Sequence, residues 1–300
     1  MKAARVLKYG PPDVIQYMDV PRPDPGDGQL RVRVKTAGVG PWDALIREGK
    51  SGVVQTLPLT LGSDVAGIVD AMGANAAGFE LGEEVFGVTN KQFTGGYAEY
   101  AIVSAAMMAR KPKSLNFIEA ASAPVVAVTA WEMVFEYAHV GAGQKVLVQG
   151  GAGNVGAFAI QLAKDAGADV IATASTRDLE YVRSLGANVV VDFRYARFED
   201  AAPAVDVVID TVGGETRERS MRVLKQGGIL VSVVSTPMPD DASLKNGVRA
   251  VFFIADVTAA RLNKIAELFD RRKLSPQVGT VLPLESARVA HEMLAGAPHD

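Results

Sequence analysis

Residues 146–156 read VLVQGGAGNVG, an apolar run that leads directly into three glycines with the spacing Gly151-x-Gly153-x-x-Gly156. The next residues, 157–165, have a helix-like pattern. In a strand–turn–helix unit such glycines permit a tight turn, a close approach of the backbone to a pyrophosphate, and close packing of helix on strand. The N–H groups at the start of the helix can then bind phosphate oxygens. The stretch therefore predicts a dinucleotide-binding turn, with a purely structural Gly-rich turn as the alternative.

The residues on both sides of this turn alternate between strand-like and helix-like stretches. Such alternation is typical of right-handed βαβ units, which build a parallel sheet covered on both faces. We therefore predict an α/β domain here. The predicted strands are 146–149, 169–174, 189–192, 205–210 and 229–234, and the predicted helices are 155–166, 177–185 and 215–225.

The first 120 residues have a different character, because short apolar runs alternate with stretches rich in Gly and Pro. They predict a part of the chain that is mostly β. Near the other end, 259–272 and 285–295 have the spacing of amphipathic helices on either side of 278–282. The predicted strands of the first part are 2–7, 30–36, 65–71 and 97–103.

The composition narrows the chemistry. The 300 residues contain no cysteine and only three histidines, His139, His291 and His299. Zinc sites draw mostly on several Cys and His ligands, and thiol nucleophiles and disulfides need cysteine. The histidines also lie far from any Gly-x-Ser-x-Gly elbow, which argues against a serine triad. We therefore expect a bound cofactor, rather than a metal or a nucleophilic side chain, to be the reagent.

Charge and hydropathy limit the partners. The formal net charge of −3 shows no basic excess, so a nucleic-acid partner is not expected. No apolar run reaches the roughly 20 residues that span a bilayer. The first residues, MKAARVLKYG, lack the apolar core of a signal peptide. These features predict a globular, cytoplasmic protein without a membrane partner.

Several further motifs are spread over nearly the whole chain. They are GVGPWDALIREG at 38–49, LGSDVAGIV at 61–69, GEEVFG at 82–87, GGYAEY at 95–100, VTAW at 128–131, the glycine turn itself, and LGAN at 185–188. Together they resemble the zinc-free quinone oxidoreductases of the medium-chain dehydrogenase/reductase superfamily. The resemblance implies a GroES-like catalytic domain of residues 1–120 and 256–300, a Rossmann dinucleotide-binding domain of residues 121–255, and an active cleft at their junction.

The resemblance also bears on metal and substrate. In zinc-dependent relatives, metal ligands fall within 41–43 and in the triplet that here reads Gly62-Ser63-Asp64, and the family's metal-binding residues are absent at both places. We therefore expect no metal. Trp42 and Asp43 become candidates for the substrate pocket, although Asp43 can equally cap a helix over 44–48. Gly40 stands where relatives commonly have Asn. Tyr97 is a third candidate, with core packing as the alternative.

The choice of cofactor depends on the end of the second predicted strand, which reads Ser175-Thr176-Arg177. A fold specific for NAD places an acidic residue about 20 positions beyond the glycines. Here the hydroxyls and the guanidinium suit a 2′-phosphate, which predicts NADPH rather than NADH. Asp178 lies beyond the strand end and is discounted, while Ser175-x-x-Asp178 also fits a capping box.

Other cofactor contacts are implied by position in the family. Phe193, expected near the adenosine, stands where many relatives have Tyr. The remaining contacts are Thr129 and Thr211, Val212, Val233, Val234 and Ser235, together with Gly151, Ala152, Gly153, Asn154, Val155 and Gly156 of the turn.

These interpretations predict an NADPH-dependent, metal-free oxidoreductase that transfers hydride to a quinone or an α,β-unsaturated carbonyl. Hydride transfer needs orientation more than a particular side chain, so no catalytic residue is assigned. The alternatives are an enoyl-thioester reductase and a non-catalytic NADPH-binding protein of regulatory or structural role.

The last expectations concern assembly and the end of the chain. We expect a homodimer, and Phe252 and Phe253 belong to a lid, an edge strand or a dimer seam. His291 fits a family helix and is expected to be structural. Relatives typically continue from this helix into another strand, which is not found before the chain stops at 297–300.

Overall fold

The computed structural model describes residues 1–235 and 247–296, and the elements given below are those of these residues. The chain divides into two compact units. The first takes Met1–Val125, Val257–Arg272 and Pro276–Asp300, and the second takes Val126–Asp256 and Lys273–Ser275.

The first unit is built on antiparallel sheets, so the prediction that this part of the chain is mostly β is confirmed. Along one strand, Leu30 and Val32 are fully buried, Arg31 between them is 8% exposed, and Arg33 is exposed. The smaller sheet has the order β2 (Ile15–Asp19), β1 (Lys2–Val6) and β4 (Leu59–Thr60), and the larger has the order β7 (Tyr100–Ser104), β3 (Gln29–Ala37), β5 (Asp64–Met72), β6 (Glu84–Val88) and β8 (Met108–Arg110). Its helices are α1 (Pro41–Arg47), α2 (Phe117–Ala121), α8 (Ala259–Asp270) and α9 (Ala287–Leu294).

The second unit is built on a parallel sheet whose successive strands are joined mostly through helices, so the predicted α/β class is confirmed. The strand order reverses beside β9, which is where ligands bind in open sheets of this kind. The order is β11 (Val189–Asp192), β10 (Asp169–Ala174), β9 (Lys145–Gln149), β12 (Val205–Asp210), β13 (Leu224–Ser232) and β14 (Arg249–Phe252). The connecting helices are α4 (Asn154–Asp165), α5 (Leu179–Ser184), α6 (Phe198–Ala201) and α7 (Gly214–Met221), and α3 (Pro124–Trp131) precedes β9.

Most predicted elements are confirmed to within a few residues, and three need correction. The strand predicted over 229–234 begins already at Leu224 and ends at Ser232. The helix predicted over 215–225 ends at Met221, because Leu224 already pairs with Val205 in the sheet. The strand predicted from Tyr97 begins only at Tyr100.

The two phenylalanines near the end of the second unit differ in environment. Phe252 ends β14, which is the outermost strand of the sheet among the described residues, so the edge-strand interpretation is confirmed for it there. Phe253 is buried and stacks on Tyr137 with ring centroids 4.4 Å apart.

Candidate functional site

The glycine turn follows β9 and begins α4. Gly153 is the N-cap residue with extended backbone, and the helix begins at Asn154, one residue before the predicted start. The N–H of Gly151 donates to the carbonyl of Thr173 at 2.8 Å, which ties the turn to β10. A Cβ on Gly156 would lie 2.2 Å from the carbonyl oxygen of Gly150, whereas one on Gly153 would meet that oxygen at 3.3 Å. Packing therefore requires a glycine at position 156. At position 153, the missing side chain leaves the exposed start of α4 accessible.

Buried polar side chains support this turn from below. The Gln149 side chain donates from Nε2 to Ser220 Oγ at 2.9 Å and accepts at Oε1 from Thr173 Oγ1 at 2.8 Å. The Thr173 hydroxyl oxygen accepts from the Gly150 N–H at 3.1 Å, and Thr211 Oγ1 donates to the Gln149 carbonyl at 2.8 Å. These bonds connect the carboxyl ends of β9, β10 and β12. They fix the turn in one conformation, because each buried polar group has its partner.

Asp210, the last residue of β12, organises the loop that follows it. Its Oδ1 accepts from the N–H groups of Val212 at 3.0 Å and Gly213 at 2.8 Å. Its Oδ2 accepts from Arg217 Nε at 2.9 Å and Ser232 Oγ at 2.7 Å. The carboxylate is fully buried, and such a group is stable only when it is paired and hydrogen-bonded as it is here.

The partner of this carboxylate extends the same network to β13. Arg217, also buried, donates from Nη2 to the carbonyl of Val234 at 2.8 Å. One ion pair thus holds both the Thr211–Val212 segment and the residues after β13, where Val233 and Ser235 also lie. The sequence analysis did not identify this pair. Its signal was an Asp that ends an apolar strand with an Arg seven positions later.

The predicted 2′-phosphate residues are arranged less simply than expected. The Ser175 hydroxyl donates to Asp178 Oδ2 at 2.5 Å, and the Thr176 hydroxyl donates to Asp192 Oδ2 at 2.6 Å. The Arg177 side chain is 88% exposed, with Nε 3.4 Å from Asp178 Oδ2. Ser175 makes no side-chain cap bond to the backbone, so the capping-box interpretation is wrong. The turn over 176–178 is instead a 3₁₀ helix that precedes α5.

Asp192 is an acidic residue that the sequence analysis missed. It ends β11, and the parallel register places it beside Ala174 at the end of β10. The pattern typical of NAD-specific folds places such a residue at the end of the second strand, whereas Asp192 ends the third. Phe193, which follows Asp192, is 59% exposed, and its N–H donates to the Ala174 carbonyl at 3.2 Å. Thr129 lies buried in α3.

In the first unit, Asp43 is fully buried near the start of α1. Its Oδ2 accepts from the Gly40 N–H at 2.8 Å and from the Tyr97 hydroxyl at 3.1 Å. Asp43 therefore does cap a helix, but from its third position. The predicted start at Ala44 is wrong, because Pro41 is well suited to the first turn. Burial raises the pKa of Asp43 to about 8.

Trp42 belongs to a second hydrogen-bonded chain. Its indole N–H donates to Ser63 Oγ at 2.9 Å, and the Ser63 hydroxyl donates to Asp64 Oδ2 at 2.7 Å. Asp64 Oδ1 accepts from the Val125 N–H at 2.8 Å, and burial raises the pKa of Asp64 to about 7. The two segments that carry metal ligands in zinc-dependent relatives are thus joined by protein hydrogen bonds. Over 1–235 and 247–296, no three His, Cys, Asp or Glu side chains are placed to hold a metal.

The buried carboxyls predict that stability falls as the pH rises from about 5 to about 8. A raised pKa means that the native state binds more protons than the unfolded state in this window, so stability declines as the carboxyl ionises. The free energy of unfolding falls by about 1.4 kcal/mol for each pH unit over which the carboxyl is protonated in the native state and ionised in the unfolded state. We expect Asp43→Asn, which mimics the protonated form, to gain stability relative to wild type as the pH rises, measured by thermal unfolding.

The control for this measurement is Glu199→Gln. The Arg219 guanidinium holds the pKa of Glu199 at about 2, so this carboxyl stays ionised throughout the window. The difference in stability between Glu199→Gln and wild type should therefore be the same at every pH in the window. A constant difference for Asp43→Asn as well would contradict the prediction.

The described parts of the chain contain no helix that combines the length and apolar character needed to cross a bilayer.

Comparison with known proteins places the chain in a family. Residues 26–113 match the alcohol dehydrogenase GroES-like domain, and residues 185–300 match the zinc-binding dehydrogenase domain. The chain is 32% identical to a quinone oxidoreductase of Pongo abelii, over 97% of this chain and 93% of that protein. It is 34% identical to the NADPH-dependent alkenal/one oxidoreductase of Arabidopsis thaliana, over 97% of this chain and 75% of that protein.

Comparison with solved structures indicates the same family as comparison of sequences. The quinone oxidoreductase of Coxiella burnetii superposes with a TM-score of 0.90 at 32% identity, covering 99% of this chain and 96% of that one. The expected fold, a GroES-like part with a Rossmann sheet, is confirmed. Because the similarity to these quinone oxidoreductases extends over 93% and 96% of their length, this protein belongs to the quinone oxidoreductase family of the medium-chain dehydrogenase/reductase superfamily.

Proposed function

We propose that the chain is an NADPH-dependent oxidoreductase that reduces a quinone or an α,β-unsaturated carbonyl without a metal ion. The observation that carries the proposal is the glycine turn at the point where the strand order of the parallel sheet reverses, in a chain similar to quinone oxidoreductases along its whole length. The similarity to an NADPH-dependent alkenal/one oxidoreductase supports both the cofactor and the class of acceptor.

The residues fit such a cofactor. Gly153 is exposed at the start of α4, and the first N–H groups of a helix suit a pyrophosphate. The exposed guanidinium of Arg177 suits a 2′-phosphate, since Arg binds phosphates through several donors. Thr129 and the segments at 211–212 and 233–235 would hold the nicotinamide end. When bound, NADPH supplies the hydride.

The substrate side of the proposal concerns Trp42. Its ring is half-buried and its indole N–H is held by Ser63, so it can present a fixed apolar surface to a flat acceptor. Asp43 and Tyr97 are bonded to each other in the interior, and we propose that they shape this loop rather than contact substrate. Water can protonate the phenolate or enolate that results, so no side chain needs to act as the acid.

The test is a turnover screen with purified protein. NADPH oxidation is followed with ortho- and para-quinones, alkenals, alkenones and enoyl thioesters. The proposal expects oxidation with a quinone or an enone. Turnover confined to thioesters would favour the enoyl reductase, and NADPH binding without turnover on any acceptor would favour the non-catalytic alternative.

Arg177 supplies a sharper prediction about the cofactor. A charge-assisted hydrogen bond contributes about 1.5–3 kcal/mol, so Arg177→Ala should weaken NADPH binding roughly 10- to 100-fold and leave NADH almost unchanged. The measurement is a titration of both cofactors. Arg183→Ala, which removes an exposed arginine from the far end of α5, is the matched control and should change neither affinity. An equal loss for NADPH and NADH would refute the assignment.

We further propose that the chain forms a homodimer through β14. Within the part of the chain that the structure describes, β14 pairs only with β13. Phe252 and Ile254 are 38% and 68% exposed beside this edge. An edge strand offers unpaired backbone groups to a second copy, and a two-fold axis would use the same edge twice. Sedimentation of Ile254→Asp against wild type tests this proposal, and an unchanged mass would count against it.

A further inference from the structure

Opposite charges meet at the end of β10, where the proposed function places the cofactor's 2′-phosphate. Arg177 and Arg194 are exposed there. Asp178 and Asp192 accept the hydroxyl protons of the neighbouring Ser175 and Thr176. In a site that binds only a phosphate, such hydroxyls would donate to the phosphate. Here both hydroxyls donate to carboxylates instead.

Asp192 makes two kinds of bond. One belongs to its own turn, in which Oδ1 accepts from the Arg194 N–H at 3.0 Å and the backbone carbonyl accepts from Tyr195 at 3.1 Å and Ala196 at 2.9 Å. The other reaches a different strand, since Oδ2 accepts from the Thr176 hydroxyl at 2.6 Å. The first kind is an ordinary Asx turn, which Asn forms equally well. The negative charge of Asp192 matters for the second kind, the bond to Thr176.

The direction of the bond between Thr176 and Asp192 follows from chemistry. A carboxylate only accepts, so the single hydroxyl proton of Thr176 points toward Asp192. The Thr176 oxygen then has only lone pairs left for a ligand. A phosphate has few protons to give, whereas a ribose 2′-hydroxyl can donate to such an oxygen. The negative charge of Asp192 adds repulsion toward a phosphate and none toward a neutral hydroxyl.

We propose that Asp192 is a specificity-determining residue that reduces the preference for NADPH, so that the chain also binds NADH. The inference rests on the proposed nicotinamide-dependent function and deepens it. Arg177 attracts the 2′-phosphate, while Asp192 opposes it and withholds the Thr176 hydroxyl. The preference between the two cofactors is set by the balance of these residues.

Asp192→Asn separates this role from a purely structural one. The amide oxygen keeps the bond to the Arg194 N–H, so the turn is preserved. The amide N–H₂ now donates to Thr176 Oγ1, which reverses that bond and frees the hydroxyl proton for a phosphate. The variant therefore removes one charge and adds one donor while the backbone stays in place.

The experiment measures the dissociation constants of NADPH and NADH for wild type and Asp192→Asn at fixed, low ionic strength by cofactor fluorescence. We expect wild type to bind both cofactors. We expect Asp192→Asn to bind NADPH about tenfold more tightly, which corresponds to about 1.4 kcal/mol, with NADH unchanged or weaker. The gain should shrink at high salt, because an exposed charge is screened.

Two further variants complete the design. Asp169→Asn makes the same charge change at the amino end of β10 and should leave the ratio of the two constants unchanged. In a Thr176→Val background the gain from Asp192→Asn should be smaller, because the freed hydroxyl is missing. A ratio that is the same in wild type and Asp192→Asn would overturn the inference alone. Failure of wild type to bind either cofactor would overturn the proposed function and the inference with it.

Discussion

Gly156→Ala is expected to weaken NADPH binding more than 100-fold, which corresponds to about 3 kcal/mol. The new Cβ would lie 2.2 Å from the Gly150 carbonyl oxygen and 3.1 Å from Gly151 Cα, so turn and helix must separate. Both contacts are to backbone, which cannot move aside as a flexible side chain can. The bonds of Gly150 and Gly151 to Thr173 would be disturbed as well. Cofactor titration measures the binding loss, and circular dichroism melting measures the accompanying loss of stability.

Gly153→Ala distinguishes cofactor contact from packing. Its Cβ would meet only the Gly150 carbonyl oxygen, at 3.3 Å, so the turn can absorb it with a small shift. We expect near-normal stability but about tenfold weaker NADPH binding, because the methyl group occupies space that the pyrophosphate needs. Gly141→Ala, where nothing lies within 4 Å of the added atom, is the control. If Gly156→Ala, the variant of the preceding paragraph, bound NADPH as tightly as wild type, this would contradict the proposal that the glycine turn binds the cofactor.

Arg47→Met is expected to lower the free energy of unfolding by about 3–5 kcal/mol, the usual cost of breaking a buried polar network. Arg47 is 1% exposed. It donates from Nε to the Gly10 carbonyl at 3.0 Å, from Nη1 to His291 Nδ1 at 2.7 Å, and from Nη2 to Glu48 Oε1 at 2.6 Å. Methionine matches the length of the stem but donates nothing, so the buried acceptors lose their partner.

His291 is fully buried and bonded to Arg47, as the expected structural role requires. Arg donates only, so His291 Nδ1 is the acceptor and the ring proton lies on Nε2. Burial and the charge of Arg47 lower the pKa of His291 to about 4, which keeps the ring neutral.

Denaturant unfolding of Arg47→Met measures the loss. Arg271→Met removes an arginine that is 72% exposed and pairs with Glu267 on the same helix, and it should cost less than about 0.5 kcal/mol. A loss below about 1 kcal/mol in Arg47→Met would contradict the importance of the buried network.

The glycine turn and the strands around it could be predicted from the sequence because their signals are local. The glycine spacing at 151–156 lies within a few residues, and the alternation of strands and helices repeats along the chain. Both signals can therefore be recognised without knowledge of the fold. The predicted strands 169–174, 189–192 and 205–210 are found with the predicted bounds. The resemblance added the β-rich part, because several motifs in order are more specific than one.

The side-chain partners around the sites could not be predicted in this way. Tyr97 bonds to Asp43 from 54 positions away, and Arg47 to His291 from 244. Asp192 reaches Thr176 only because β10 and β11 lie parallel in one particular register. A shift of one residue in that register would turn Asp192 to the other face of the sheet.

The amino-acid sequence by itself thus determined the family, the fold class and the position of the glycine turn between β9 and α4, because these depend on residue spacing along the chain. Only the tertiary structure decided which carboxylates face the predicted phosphate site and which polar groups are buried together. Hydrogen bonds form over about 3 Å, and strand register and packing alone bring distant residues that close. The acidic residue that seemed absent from the second strand is supplied by the third.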